Sequence, residues 1–350
     1  MADILSIFNR KERHAALVNF SGSSVQLARL GRLNEKPLAV DQLCELRHED
    51  EAAILLWFKE NFPTRNGAHL PAYCGFHPPE RIISRESVNL RRLREAPYLQ
   101  GLVCEYAKLP SAADWQVNLL HPADGSLLTP EGTPRAGLLV GMPDAAVREI
   151  QPQLLRWGLF PRRLELGTLP LLGGLARHLE LNSYPNALVV CEISQKETRA
   201  YFIGKDGVHT PAHLPHGLLS IEEIAMKELG APDLEAARRY MEESTEAMRS
   251  QGKRLVRVLA RHLRPAVDYF EMQTGQRSGA LFCAQIPSRL SWIAHSLSAA
   301  VDLELFTPDY ARWLPAVGLQ VSESAALSPS WLQPLSLVAQ LAPESDDTTS

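Results

Sequence analysis

The chain lacks the cysteine pairs, the long apolar runs and the charge excess that would place it in several large classes of protein. Its five cysteines never form a Cys-x-x-Cys pair, so the usual spacing of a zinc site is missing. Basic and acidic residues number 36 and 40, for a net charge of −4, and this near balance excludes a broad attraction for nucleic acid. No apolar stretch approaches the roughly 20 residues that span a bilayer, so no transmembrane segment is predicted.

The cysteines are odd in number and lie among apolar neighbours. Such thiols are typical of a reducing cytoplasm, and we expect buried, unpaired side chains at Cys44, Cys74, Cys104, Cys191 and Cys283. A chain of 350 residues, 45% of them hydrophobic, can bury a large core without a metal or a disulfide. The expectation is therefore a soluble globular protein of two domains or one large one.

The two ends of the chain differ from its body. Residues 1–13, MADILSIFNRKER, place apolar side chains before basic ones. This pattern fits a short helix at a membrane surface, and it equally fits a terminus that packs a few apolar residues on the body. Residues 343–350 are acidic and without apolar side chains, which predicts a disordered tail.

Two halves of the chain open in the same way. In residues 15–31 an apolar strand meets Asn19, a turn of serine and glycine follows, and a second strand alternates apolar and polar residues. In residues 186–215 another apolar strand ends at Glu192, before a polar turn and two further strands. This repetition predicts a duplicated α/β architecture. Helices are predicted at 49–62, 143–158, 219–229, 233–250 and 253–272.

Four segments, taken in order, resemble the PilM family of type IV pilus assembly proteins, which belongs to the actin, Hsp70 and sugar-kinase superfamily. They are ILSIFNRKERHAALVNFSGSSVQLARL, AGLLVGMPDAAVREIQPQLLRWGLFPRRLELGTLPLLGGL, LRPAVDYFEMQTGQRSGALFCAQ and ARWLPAVGLQV. The resemblance covers most of the chain. It implies an actin-like (ribonuclease H-like) duplicated α/β fold, with two lobes around a central cleft and a small subdomain inserted in the first lobe.

The resemblance also implies where the domains begin and end. The first lobe is expected over 1–185, with the inserted subdomain at about 83–155. The second lobe is expected over 186–342, ahead of the acidic tail. Strand-like segments at 80–88 and 137–142 are expected to line the groove between the first lobe and its insert.

In the family, the turn after the first strand carries an aspartate that orients magnesium and a glycine that lets the backbone approach phosphate. The positions that match it here are degenerate. Asn19 stands at the aspartate, Ser21 at the glycine and Gly22 where a serine is usual, whereas Ser23 and Ser24 match. An amide lacks the unit charge that a hydrated magnesium ion requires, and one such ion pair is worth about 4 kcal/mol at an effective dielectric constant of 20.

The remaining nucleotide positions are also altered. Glu192 keeps the charge of the second aspartate but is one methylene longer, and a serine replaces the glycine two residues on. Thr198 matches the family, and Gly217 is one glycine of an expected pair. The glycine pair that should follow the late strand, on the adenosine side of the cleft, is replaced by Gln285-Ile286. The candidate positions of this degenerate nucleotide site are Asn19, Ser21, Gly22, Ser23, Ser24, Glu192, Thr198 and Gly217.

These changes predict a protein without catalytic residues and without a resident cofactor, in which weak binding of ATP with magnesium stays open. The resemblance implies a platform in the cytoplasm, at the inner face of the inner membrane, that binds the N-terminal cytoplasmic tail of a PilN-like bitopic membrane protein. The alternative is an active ATPase or kinase of the same superfamily. A third interpretation is the cytoplasmic part of a type II secretion protein of similar fold.

A group of three histidines was considered as a metal site. His209, His213 and His216 are separated by four and three residues, a spacing that a helix could turn into a ligand set. Two prolines interrupt the segment, so a solvated loop is predicted there, and no metal ligand is assigned in the chain.

Overall fold

A computed structural model describes most of the chain, namely residues 14–33, 35–63, 69–95, 97–131, 136–243, 245–322, 327–339 and 341. The predicted leader, 1–13, and the predicted acidic tail, 343–350, lie outside the described residues. Over the described ranges, no helix combines the length and the apolar character needed to cross a bilayer.

The larger sheet has six strands: β1 (Ala15–Ser21), β2 (Ser24–Leu30), β3 (Leu38–Arg47), β4 (Leu70–Phe76), β8 (Leu159–Leu166) and β14 (Leu319–Val321). Their order across the sheet is β14-β3-β2-β1-β4-β8. Strand β1 is antiparallel to β2 and parallel to β4, which is parallel to β8. The central strands β1 and β2 are buried along nearly their whole length, as expected where both faces of a sheet are covered. Strand β8 is the edge of this sheet.

The second sheet has five strands: β9 (Ala187–Ile193), β10 (Thr198–Gly204), β11 (Gly207–Leu214), β12 (Ser278–Ala284) and β13 (Glu304–Leu305). Their order is β11-β10-β9-β12-β13. Strand β9 is antiparallel to β10 and parallel to β12, which repeats the relation of β1 to β2 and β4. The predicted duplication of an α/β unit is therefore confirmed.

A third, smaller sheet contains β5 (Ile82–Ser87), β7 (Ala136–Pro143) and β6 (Trp115–Leu120) in this order, all antiparallel. Helix α2 (Tyr98–Ala107) buries Val103 in the core of this unit. These elements fall within the insert predicted at about 83–155. The last helix of that range, α3 (Asp144–Arg156), instead packs on the larger sheet, where its Leu154 shares a core with Val18.

The small sheet contacts the second lobe as well as the first. The guanidinium of Arg85 on β5 forms an ion pair of 2.9 Å with Asp206, which precedes β11. The Val208 amide of β11 donates to the carbonyl of Pro122, just after β6, at 2.8 Å. The small sheet therefore rests on both lobes.

The helices follow the sequence signals that begin and end them. Helix α1 (Glu51–Asn61) begins where the Asp50 side chain accepts a hydrogen bond from the Ala53 amide, the usual role of an N-cap. Helices α4 (Thr168–Leu181) and α11 (Leu332–Ala339) pack together in the core that joins the two large sheets. The other helices are α5 (Leu218–Leu229), α6 (Leu234–Glu243), α7 (Thr245–Leu255), α8 (Arg257–Thr274), α9 (Trp292–Val301) and α10 (Tyr310–Ala316).

One sequence expectation differs from this architecture, and another reaches a residue that is not described. Helices α6 and α7 occupy the range 233–250 predicted for a single helix, and residue 244 between them lies outside the described residues. Near the end of the range predicted for the second lobe, 186–342, strand β14 instead pairs with β3 of the first sheet. No strand was predicted at this place. The predicted domain boundaries otherwise stay predictions.

Candidate functional site

The first predicted position, Asn19, is buried at the end of β1 and held by amide hydrogen bonds. Its Nδ2 donates to Oε1 of Gln26 at 2.9 Å, and Nε2 of Gln26 donates to the Ser330 carbonyl at 3.2 Å. Oδ1 of Asn19 is buried without a hydrogen-bond partner. A Cβ atom at Gly75 would lie 2.6 Å from this oxygen, so β4 closes the space beside it.

The turn between β1 and β2 uses its own polar groups. The Ser24 hydroxyl donates to the Ser21 carbonyl at 3.1 Å, and the Ser23 carbonyl accepts the His48 amide at 2.9 Å. Gly22 has a φ of +57°, a left-handed conformation that glycine adopts at less cost than a residue with a Cβ atom. A Cβ atom on Gly22 would lie 2.9 Å from the carbonyl of Gln285, so the turn meets the loop that follows β12.

The second turn, between β9 and β10, is also closed on itself. Ser194 donates from both its amide and its hydroxyl to the Glu197 carbonyl, each at 2.9 Å. The Thr198 hydroxyl donates to the His216 carbonyl at 2.7 Å. A Cβ atom on Gly217 would lie 2.3 Å from the Ser194 carbonyl. The glycine therefore serves the close contact of α5 with this turn.

Glu192 is fully buried and bound from two directions. Nη2 of Arg81 and the hydroxyl of Thr168 both donate to its Oε2, at 2.8 and 2.9 Å. Arg81 is itself only 4% exposed. Burial raises the pKa of the Glu192 carboxyl, but the charge of Arg81 and the hydrogen bonds from Thr168 and Arg81 lower this pKa below its usual value. Glu192 is thus held ionised, as half of an internal ion pair.

His77 connects this pair to the opposite side of the cleft. Its Nδ1 lies 3.6 Å from Oε1 of Glu192 and 3.0 Å from Nε2 of Gln285, and its Nε2 contacts the Gln333 amide. Burial lowers the pKa of His77 to about 4; Glu192 opposes this shift, while the charges of Arg81 and Arg199 add to it. The ring is therefore neutral at pH 7 and can accept a hydrogen bond from an amide.

The loop that carries Arg81 is fixed by the second sheet. The two terminal nitrogens of the Arg199 guanidinium, on β10, each donate at 2.5 Å, one to the Arg81 carbonyl and the other to the Pro79 carbonyl. Nε of Arg199 pairs with Glu197 at 2.8 Å. Arg199 therefore fixes the backbone of the loop, and the hydrogen bond to Glu192 fixes the end of the Arg81 side chain.

The side of the cleft where the family places adenosine is bridged by charged groups. The Ser288 amide lies 3.3 Å from the carboxylate of Glu45 on β3. Glu242 of α6, which is nearly buried, pairs with Arg47 of β3 at 2.7 Å and with Arg289 at 2.5 Å. The first and second lobes are therefore tied together across this side.

The eight positions predicted from the sequence form two groups in the structure. Asn19 and the first turn lie on the first sheet, whereas Glu192, Thr198 and Gly217 surround the second turn. The side chains that link the groups were not predicted: His77, Arg81, Thr168, Gln285 and Gln333. Of these five residues, only Gln285 had been noticed in the sequence, because it replaces the first glycine of the expected pair.

The three histidines do not converge, and the loop predicted for them is wrong. His209 and His213 belong to strand β11, where they pair with Asp206 at 2.9 Å and Glu197 at 2.6 Å respectively. His216 lies 3.2 Å from the Ser220 hydroxyl. Within the part of the chain that the structure describes, no group of three or more His, Cys, Asp or Glu side chains could hold a metal ion.

A groove of about 590 Å³ lies between the small sheet and the first lobe. Its walls come from β6, β7, β8 and α4, and the side chains include Leu138, Val140, Met142, Leu164, Leu169 and Leu172. Of the two segments expected to line it, 137–142 does so as β7. The segment 80–88 does not, because β5 lies at the other edge of the small sheet, facing β11.

Comparisons with known proteins support the fold. No family model matches the chain, and no curated protein matches it. A solved structure described as the PilM-PilN type IV pilus biogenesis complex superposes with a TM-score of 0.67 at 17% identity, covering 94% of this chain and 98% of that one. The cytoplasmic domain of EpsL, an inner membrane component of the type II secretion system of Vibrio cholerae, superposes with a TM-score of 0.42 at 9% identity, over 94% of each chain.

The similarity to the PilM-PilN structure extends over nearly the whole of both chains. Together with the repeated unit of hairpin and parallel strand in the two large sheets, it confirms the prediction made from four short segments. The chain has an actin-like α/β fold that resembles the structure of PilM.

Proposed function

We propose that this protein is a non-catalytic actin-like platform of a type IV pilus or related machine. Its cleft is filled by internal contacts, and its groove binds the cytoplasmic tail of an inner-membrane partner. The ion pair between Arg81 and Glu192 carries the proposal. It occupies the carboxylate that stands at the second aspartate of the superfamily's nucleotide motifs.

The energetic argument concerns what a nucleotide would have to displace. Withdrawing Glu192 from Arg81 leaves a buried cation without a partner, at a cost of about 3–5 kcal/mol. Micromolar affinity corresponds to about 8 kcal/mol in total. Breaking this pair would consume about half of that free energy before Asn19, which lacks a charge, is taken into account.

The partner is proposed from the fold and from the groove. The similar solved structure contains PilM together with PilN. A bound tail would need a binding surface, and the groove of this chain provides one. The groove offers apolar side chains on β7 and α4 next to the edge strand β8. A platform with this role would lie in the cytoplasm, against the inner membrane.

One experiment tests the cleft. The melting temperature is measured with and without millimolar ATP and magnesium, and we expect no clear shift. A ligand at 100 times its dissociation constant would add about 2.7 kcal/mol to the free energy of unfolding. A clear increase that Ser23→Arg abolishes would contradict the non-catalytic assignment.

A second experiment tests the groove. Gly173 lies on α4 in the groove wall, and a Cβ atom there would meet nothing within 4 Å. Gly173→Phe should therefore fill the groove and abolish binding of the tail peptide from the single-span membrane protein encoded beside this gene. Gly101→Phe, at an equally open position of α2 outside the groove, is the matched control. Equal binding by both variants would contradict the assignment of the groove.

A further inference from the structure

The outer face of α8 continues a basic segment of the chain. Residues 253–264, KRLVRVLARHLR, carry five lysine and arginine side chains and no acidic one, in a protein whose net charge is −4. One side of α8 is buried in the core around the second sheet. Since a helix has 3.6 residues per turn, its other side is left to solvent. We call this side the α8 face; its exposed residues include Arg257, Arg261, Arg264, Pro265, Asp268, Tyr269 and Met272.

Contacts within the protein neutralise part of the positive charge. Glu228 of α5 lies 3.7 Å from Arg257 and also contacts Arg254, so one carboxylate serves two guanidinium groups. Arg264 pairs with Asp302 at 2.8 Å, and the Asp302 side chain is itself exposed. These pairs lie at the surface, where water and salt screen them. They therefore leave the arginines available to a stronger anionic partner.

The centre of the row carries an arginine without such a contact. Arg261 is exposed, one turn beyond Arg257, and no ion pair with it occurs among the described residues. Lys253, at the start of the segment, is exposed and unpaired in the same part of the structure. Asp268 is the carboxylate on the α8 face and opposes the arginines. Cations nevertheless outnumber anions along the row.

The C-terminal half of the α8 face is apolar. Met272 is 77% exposed, the largest fraction among the large apolar side chains that the structure describes, and Tyr269 is 46% exposed. Pro265 is exposed one turn before Tyr269. From Arg257 to Met272 the face is about 22 Å long, at 1.5 Å per residue. Cations beside exposed apolar side chains match the two layers of a membrane surface, the charged headgroups and the apolar boundary beneath them.

We infer that the α8 face docks on a membrane surface that bears anionic lipids. Guanidinium groups form paired hydrogen bonds with phosphate oxygens, and a row of cations is attracted by the negative potential of such a surface. Tyr269 and Met272 would enter the interfacial layer, where aromatic side chains with a polar end are common. The inference goes beyond the proposed function, because neither the groove nor the tail takes part.

The test is co-sedimentation of the full chain with lipid vesicles. One set contains equal parts of phosphatidylglycerol and phosphatidylethanolamine, and in the other phosphatidylcholine replaces the phosphatidylglycerol. We expect binding to the anionic vesicles only. Binding should decrease as salt is raised from about 0.1 M to about 1 M, because the Debye length falls from about 10 Å to about 3 Å.

A pair of double variants tests the arginines. Arg257→Gln combined with Arg261→Gln should weaken binding about 20-fold or more, since each cation near an anionic surface contributes about fivefold. The matched control is Arg32→Gln combined with Arg91→Gln, which removes the same charge at two exposed positions, one after β2 and one after β5. The control should bind as the wild type. Equal melting temperatures of the four-residue set, compared with the wild type, show that both double variants fold.

Two single variants should change binding in opposite directions. Asp268→Asn removes the opposing carboxylate and should strengthen binding about fivefold by the same measure, an increase that damage to the fold would not produce. Met272→Ser should weaken binding about threefold or more, because apolar contact is lost. Leu127→Ser, at a side chain 65% exposed between β6 and β7, is the control for the methionine and should have no effect.

The outcomes separate this inference from the proposed function. Failure to bind anionic vesicles, or an equal loss in the two double variants, would overturn the inference. Binding of polyglutamate without binding of vesicles would identify an acidic protein as the partner, and this would overturn it too. Since no residue of α8 lines the groove, the tail peptide is tested on the same variants. Unchanged binding of the peptide beside lost binding of vesicles leaves the proposed function intact.

Discussion

Nη2 of Arg81 lies 2.8 Å from Oε2 of Glu192, although the two residues are 111 positions apart in the chain. Arg81 lies in the loop before the small sheet, and Glu192 belongs to β9 of the second lobe. Thr168, at the start of the helix that joins the lobes, donates to the same oxygen. One carboxylate therefore binds three structural units together at the centre of the molecule.

Arg81→Met should destabilise the protein by about 3–5 kcal/mol, because Glu192 is left buried without its cation. The double variant Arg81→Met with Glu192→Leu should recover much of this loss. Arg32→Met, which removes an exposed ion pair with Glu35, should cost at most about 0.5 kcal/mol. Urea unfolding gives the free energy of unfolding of the three variants. An equal decrease for Arg81→Met and Arg32→Met would show that the buried ion pair contributes no more to stability than the exposed one.

The free energy of unfolding should fall as the pH is lowered from 7 to 5. The folded-state pKa of His77 is about 4, below its ordinary value of 6.5. Between these two values the unfolded chain takes up a proton that the folded chain excludes, so acid favours unfolding. The share of His77 is about 2 kcal/mol over this interval. Below pH 4.5, protonation of Glu192, whose pKa is also lowered, should destabilise the protein further.

His77→Gln should remove the contribution of His77, so that the free energy of unfolding falls less steeply between pH 7 and pH 5. A glutamine can still accept a hydrogen bond from Gln285. The measurement is urea unfolding of wild type and variant at pH 7, 6 and 5. Parallel curves for the two proteins would contradict a neutral, buried His77.

Gly22→Ala should lower the free energy of unfolding by about 1–2 kcal/mol. The residue has a left-handed φ, and the new methyl group would approach the Gln285 carbonyl, so strain and contact add. Gly101→Ala, within α2 and with open space around it, should be neutral or stabilising by up to about 1 kcal/mol. Thermal unfolding of both variants checks the difference, and a neutral Gly22→Ala would show that the turn does not meet the loop after β12.

A thiol reagent should modify at most two cysteines of the folded protein. Cys74, Cys191 and Cys283 are buried, and burial raises the pKa of each thiol, to about 12 for Cys74 and Cys283. Cys44 and Cys104 are half-buried rather than buried as predicted. Titration at pH 8 should therefore find three thiols only after unfolding. A Cys44→Ser, Cys104→Ser variant that still reacts rapidly would contradict the buried placement of the other three.

The fold was predictable because its signals are local and occur in order. The hairpin around Gly22 and the strand that ends at Glu192 each combine an apolar strand with a polar turn, and both form as predicted. Helix α1, predicted over 49–62, has its N-cap at Asp50. Such elements depend on neighbours within a few residues, which a sequence displays directly.

The contacts that fill the cleft were not predictable in this way. Arg81 follows two prolines and a glutamate, in a segment whose composition is typical of an exposed loop. Arg81 is buried because its side chain pairs with Glu192 and its carbonyl accepts a hydrogen bond from Arg199. Both partners are more than 100 residues away in the chain. The sequence shows that Asn19 and Ser194 depart from the nucleotide motifs of the family that it resembles, but it does not show the contacts that these residues make.

The contact of the small sheet with both lobes has a mechanical consequence. Pro122 and Val208 share a hydrogen bond, and both line the groove, so a chain bound there touches the first lobe, the small sheet and the second lobe at once. The ion pair of Arg85 with Asp206 lies in parallel with that bond. A pulling force on a bound chain would therefore be shared among all three units. It would act on these two contacts before it could separate the strands of either large sheet.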